Sequence, residues 1–133
     1  MWILALPLLA SAEPLTLQND DPVLAALRVR DPALCAALVD PVDLAEKLHV
    51  IAESEAAPAW VPLRAAICLA ERFADDPRFP GWVTPWFSDP ELGGLGVAVL
   101  QASELNPLAM PLVEPLARAA TGRWGAIYAR HLP

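Results

Sequence analysis

Lysine is almost missing from this chain. Lys47 is the only one, set beside eight arginines and 16 acidic residues, and the formal net charge is −7. So acidic a chain has no basic patch with which to neutralise phosphates, so nucleic acids and anionic membrane surfaces are poor partners. Histidine is equally scarce, with only His49 and His131. Ser54, Thr84, Ser88, Ser103 and Thr121 fall in caps and turns and have no histidine at motif spacing, so no nucleophile–base pair points to catalysis. No segment alternates apolar and polar residues in the manner of a strand. Beyond the N-terminus, no apolar stretch approaches the roughly 20 charge-free residues needed to cross a bilayer.

The N-terminus itself has a different character. Residues 2–9 form an apolar run, and Ala10-Ser11-Ala12 is a small-x-small sequence before Glu13. That is the pattern of a secretory signal peptide, although its start carries no Lys or Arg. Residues 1–12 are therefore expected to be removed near Ala12–Glu13, which places the mature protein in the periplasm or outside the cell. Residues 13–21 show no periodicity and read as a flexible leader, and residues 22–133 read as a single helical domain with a core of its own.

Two cysteines remain, Cys35 and Cys68. In an oxidising compartment an even count favours one disulfide. Position supports the pairing. On a helix over residues 59–75, Cys68 shares a stripe with Arg64, Glu71 and Asp75 at i, i+4, i+7 and i+11. A cysteine on a polar stripe makes sense if a segment carrying Cys35 crosses over it. Closing that loop adds roughly 3–4 kcal/mol in the chain-entropy model.

Asp-Pro pairs punctuate the chain at Asp21, Asp31, Asp40, Asp76 and Asp89, with Asn106-Pro107 as a variant. An Asp carboxylate accepts the orphan N–H groups of a first helical turn, and the following Pro has no N–H to leave unsatisfied. Each pair thus predicts a helix start. Helices are expected over 22–30, 32–39, 41–54, 59–75, 81–87, from 90 past 102, 112–119 and 123–131. The chain also repeats itself. Pro77, Trp82, Val83, Pro85 and Trp86 align with Pro107, Leu112, Val113, Pro115 and Leu116 at an offset of thirty, and Leu63 and Ala70 align with Leu92 and Val99 at twenty-nine. Self-similarity at this period is a mark of stacked helix pairs, none of which can bury its apolar face alone.

The segment Leu63-Arg64-Ala65-Ala66-Ile67-Cys68-Leu69-Ala70, followed by Asp76-Pro77, resembles the second helix and turn of a short bacterial HEAT repeat. Pro111-Leu112-Val113-Glu114-Pro115-Leu116 resembles the first helix of a following unit. The resemblance covers residues 58–120. It implies an all-α fold of short antiparallel helix pairs, stacked as a HEAT-like α-solenoid or a compact bundle, that binds other proteins through a helical face. Gly93, Gly94 and Gly96 depart from the family's usual Ala and charged residues, and Pro85 and Pro115 should shorten or kink the first helices.

Several residue groups invite a functional reading. Glu46 and His49 form an E-x-x-H spacing, continued by Glu53, but a carboxylate-bridged metal site needs two such motifs and further carboxylates, so a solvated polar face is favoured. A zinc site from Cys35, Cys68, His49 and His131 has no recognisable spacing and competes with the disulfide. The glycines of 93–96 lack the preceding strand of a phosphate loop, and close packing against residues 81–87 explains them better. Trp82 and Trp86, at i and i+4, and the adjacent Phe87 are the candidate partner-binding residues, because Trp is favoured in interface hot spots. Their alignment with Leu112 and Leu116 also suits a core position. No metal, cofactor or catalytic group is expected. The resulting expectation is an exported, non-enzymatic interaction or scaffolding module, with basic protein partners favoured by charge. The alternative is a helical carrier enclosing an apolar small molecule or lipid. The oligomeric state is left open.

Overall fold

A computed structural model describes residues 17–18, 20–29, 31 and 33–133. The expected signal peptide, and most of the leader that follows it, lie outside the described residues. Eight α-helices and no strand occur among those described, in the order α1 (Pro22–Leu27), α2 (Leu34–Ala37), α3 (Leu44–Ala52), α4 (Trp60–Phe73), α5 (Phe79–Ser88), α6 (Gly93–Ser103), α7 (Met110–Ala119) and α8 (Gly122–Ala129). A 3₁₀ turn at Pro90–Leu92 leads into α6.

The punctuation works as its chemistry requires. At Asp21, Asp31, Asp40, Asp76, Asp89 and Asn106 the side-chain Oδ1 accepts the backbone N–H two residues on, at 2.7–2.9 Å. Asp21 leads directly into α1, with Pro22 at its first position, and Asp89 directly into the 3₁₀ turn that begins at Pro90. Elsewhere the bond closes a turn and the helix begins later. The start expected at Pro41 is corrected in this way: Asp40 is committed to Val42 and Lys47, and Asp43 caps α3 through the Glu46 N–H.

Helices α3/α4, α5/α6 and α7/α8 pack as successive pairs. One layer holds α3, α5 and α7, and the other holds α4, α6 and α8, with α4 against α6 the broadest contact between pairs. The thirty-residue repeat is realised in burial. Phe79, Val83 and Phe87 on α5 are buried, as are Ala109, Val113 and Ala117 thirty residues on. In the other layer Ala65, Leu69 and Ala70 correspond in the same way to Leu95, Val99 and Leu100. Thirty is thus the register of both layers, and the offset of twenty-nine read for the second helices is corrected.

Helix α4 sets polar residues along the outer side of this stack, and the segment before α3 crosses over it to meet them. Cys35 and Cys68 are disulfide-bonded. The Arg72 guanidinium donates to the carbonyls of Cys35 at 3.0 Å and Leu38 at 2.6 Å, and Arg64 donates to the Asp31 carbonyl. From the far side, the Asn106 amide donates at 2.9 Å to the Ala70 carbonyl, one of the last four that α4 leaves unpaired. Asp could not do this, which explains why the sixth member of the Asp-Pro series is Asn. The chain's only lysine is buried as well: Lys47 Nζ lies 2.8 Å from Asp21 Oδ2 and 2.6 Å from Asp40 Oδ2. Burial disfavours its charge, but those two carboxylates more than offset that and hold its pKa above the usual value.

Two of the three clustered glycines are where neighbours come closest. A Cβ at Gly96 would lie 2.6 Å from the Tyr128 hydroxyl and 2.9 Å from the Trp86 carbonyl, while at Gly93 it would run into the Trp124 ring. The expected packing against α5 is therefore one part of the reason, and α8 supplies the larger part. Gly96→Ala is expected to lower unfolding free energy by roughly 1–3 kcal/mol. By contrast Gly81→Ala, where a Cβ meets nothing within 4 Å, should raise it by up to about 1 kcal/mol. Urea melts of both variants test this, and equal effects would contradict the close approach.

Candidate functional site

The two groups of residues that stand out in the sequence meet on one face. Glu46, His49 and Glu53 follow one another at helical spacing along α3 and at its C-cap, and Arg78, Trp82 and Trp86 do the same at the N-cap and along α5. The His49 ring stacks on Trp82 with centroids 4.8 Å apart and planes 14° from parallel. Its Nε2 lies 3.3 Å from Glu53 Oε2, and that same carboxylate oxygen accepts the Trp86 indole N–H at 2.8 Å. Arg78 sits 4.6 Å from the Trp82 ring centroid while pairing with Asp43 and Asp76. A continuous stripe thus runs from Asp43 through Arg78, Trp82 and His49 to Glu53 and Trp86.

Burial sorts the three expected binding aromatics. Trp86 is 0 % exposed and Phe87 5 %, with Phe87 edge-on to Tyr128 at 5.1 Å. Both belong to the core, because the repeat that equates residues 86 and 87 with 116 and 117 turns them inward. Neither can act as an exposed anchor, which corrects the anchor reading of both, while the core position that the Trp86–Leu116 alignment suited is the one observed. Trp82 is half-buried and is the one of the three with surface to offer. Trp60, on α4, is more exposed, and the Trp124 indole donates to the Pro90 carbonyl at 2.8 Å.

The electrostatics follow from geometry. Arg78 hydrogen-bonds both Asp43 and Asp76 and holds each carboxyl below the usual carboxylate range. At His49 burial dominates: it pushes the imidazole pKa down, although Glu53 and Glu46 pull it upward. The ring is therefore poised to stay neutral against Trp82. Chemically the stripe can hold a neighbouring surface through aromatic and carboxylate groups. Among the described residues no group of three or more His, Cys, Asp or Glu side chains is arranged to hold a metal ion. His131 is not brought to His49; it pairs with Glu104 at 3.0 Å, and Cys35 and Cys68 are consumed by their bond. No single-residue signal pointed to Arg78 or Asp43, whose roles depend on contacts 35 residues apart in sequence.

Compared with known proteins, the chain matches no protein-family model, no curated protein and no solved structure.

The His49 balance is directly measurable. Proton NMR is expected to give His49 a titration midpoint below the 6.5 of an unperturbed imidazole, and Glu53→Gln should lower it further by removing the charge that opposes burial. Because the folded pKa is depressed, the unfolded chain takes up the proton first, so this group's contribution to stability falls as pH drops below about 6.5. A midpoint above 6.5 would show that the Glu53 pairing dominates instead.

Proposed function

We propose that this chain is an exported, non-enzymatic scaffold of the HEAT-like kind, whose task is to hold a protein partner on the faces of its stacked helix pairs. The observation that carries this reading is the repeat itself. Successive pairs bury equivalent positions, so their outward residues form faces wider than any one helix, the geometry suited to macromolecules. Large apolar side chains also stand in solvent at the turns: Val39 is 83 % exposed and Leu105 is 92 % exposed. Export is supported by the small-x-small sequence at Ala10-Ser11-Ala12 and by the buried disulfide, which suits an oxidising compartment. No helix among the described residues is long and apolar enough to cross a membrane.

Native mass spectrometry of the protein isolated from its own extracytoplasmic compartment tests the reading. The expected species is the chain beginning at Glu13, disulfide intact, carrying a second polypeptide that Trp82→Ala weakens. A stoichiometric adduct the size of a lipid or metabolite would contradict it and favour a carrier.

A further inference from the structure

The loop between α3 and α4 and the 3₁₀ turn before α6 enclose a groove of about 450 Å³. Its apolar surface comes from Pro62, Leu63, Leu92 and Leu95, and its rim carries Glu53, Glu55 and Glu91. Among the described residues no Lys, Arg or His lines it. Leu63, 39 % exposed, is also a wall of a second hollow of about 250 Å³ with Leu27, Val29, Trp60 and Ile67, whose charged wall is Arg64, paired with the Asp31 carbonyl. Apolar surface therefore continues past the acidic rim along the outside of α4.

The sign of the field can be counted. Three carboxylates contribute a full negative charge each and the C-terminal end of α3 about half of one, while the N-terminal ends of α4 and α6 offset about half a charge each. Arg28, which donates to the Ala57 carbonyl in the same loop at 3.2 Å, and Arg64, beside Leu63, lie outside the groove's lining, so the lining itself is negative while its flank carries these two cations. Glu53 is also fixed in place, since its Oε2 accepts the Trp86 indole and pairs with His49. A rim carboxylate held by the core presents its charge at lower entropic expense than a free side chain does.

We infer that this groove docks a basic amphipathic segment of a partner protein, its apolar side chains against Leu63 and Leu92 and its Lys or Arg residues on Glu53, Glu55 and Glu91. This rests on the scaffold reading and names the partner's chemistry. An acidic or purely apolar segment would meet repulsion at the rim or leave the carboxylates without counter-charge.

The test uses a fluorescein-labelled amphipathic peptide of leucine and lysine, and a second with glutamate replacing every lysine. Fluorescence anisotropy with the mature, disulfide-intact chain should show binding of the lysine peptide alone, weakening as salt is raised. Glu55→Gln with Glu91→Gln should reduce affinity roughly tenfold. Glu104→Gln with Glu114→Gln removes the same charge at the far end of α6 and on α7 and should change it by less than about twofold. Leu63→Ser should weaken binding while leaving the circular dichroism melt in place. Equal losses from the two glutamate pairs, or equal binding of both peptides, would overturn the groove by reducing it to bulk charge or stickiness. Failure of the lysine peptide to bind would overturn it too, and the scaffold reading would survive if a polypeptide still travels with the native protein. Peptide binding lost with the groove variants, in a protein that carries only a lipid-sized adduct at home, would keep the groove and remove the scaffold.

Discussion

A helix packed on several sides needs partners for the polar groups at its edges, and in this protein α4 draws the chain around it into that role, leaving only the Arg64 Nε buried without one among the side chains of the described residues. Ala65, Ala66, Cys68, Leu69 and Ala70 are each 0 % exposed, so α3, α6 and the crossing N-terminal segment leave them no water. Arg64, Arg72 and the terminal carbonyls of α4 are met by chain from elsewhere: Asp31, Cys35 and Leu38 from one direction, and Asn106 from the other. Loss of the Asn106 amide would leave the carbonyl of the buried Ala70 unpaired at a cost of about 1–3 kcal/mol, while the exposed Arg72 could turn to water. The crossing segment is thus positioned by hydrogen bonds as well as by the disulfide, and Lys47 with Asp21 and Asp40 anchors its two ends to α3.

With α4 fixed, the second layer follows from size. Gly93 and Gly96 let α8 and the backbone of α5 approach α6, and the large rings of Trp86, Phe87 and Tyr128 fill the space that closes behind them. The outer stripe is a consequence of that filling. Trp86 turns inward and needs an acceptor for its indole N–H, Glu53 supplies it, and His49 and Trp82 stack beside that bond. One carboxylate consequently serves the core and borders the acidic groove.

Much of this was legible in local chemistry. The Asp-Pro series announced turns and helix onsets, the polar stripe of α4 announced the covering segment and the Cys35–Cys68 bond, and the thirty-residue repeat announced paired layers. Local chemistry failed where one group has two uses. Asp40 looked like a helix cap, yet its carboxylate is taken by the Val42 N–H and the Lys47 ammonium, so α3 starts at Leu44. Trp86 and Phe87 were candidate anchors because aromatic type is visible in a sequence and the direction of a ring is not; for Trp86 the alignment with Leu116 already offered the core position that its burial shows. The Arg78–Asp43 pair and the groove between two loops join residues more than thirty positions apart, and no spacing rule reaches that far.

Native-state hydrogen exchange on the disulfide-intact chain tests most directly whether α4 is the element that the others are built around. Its amides from Ala66 to Ala70 are expected to be the slowest in the molecule, exchanging only through global unfolding, with those of α6 close behind and those of α8 faster. Slowest exchange in α7 and α8, or α4 amides opening independently of the rest, would contradict the account.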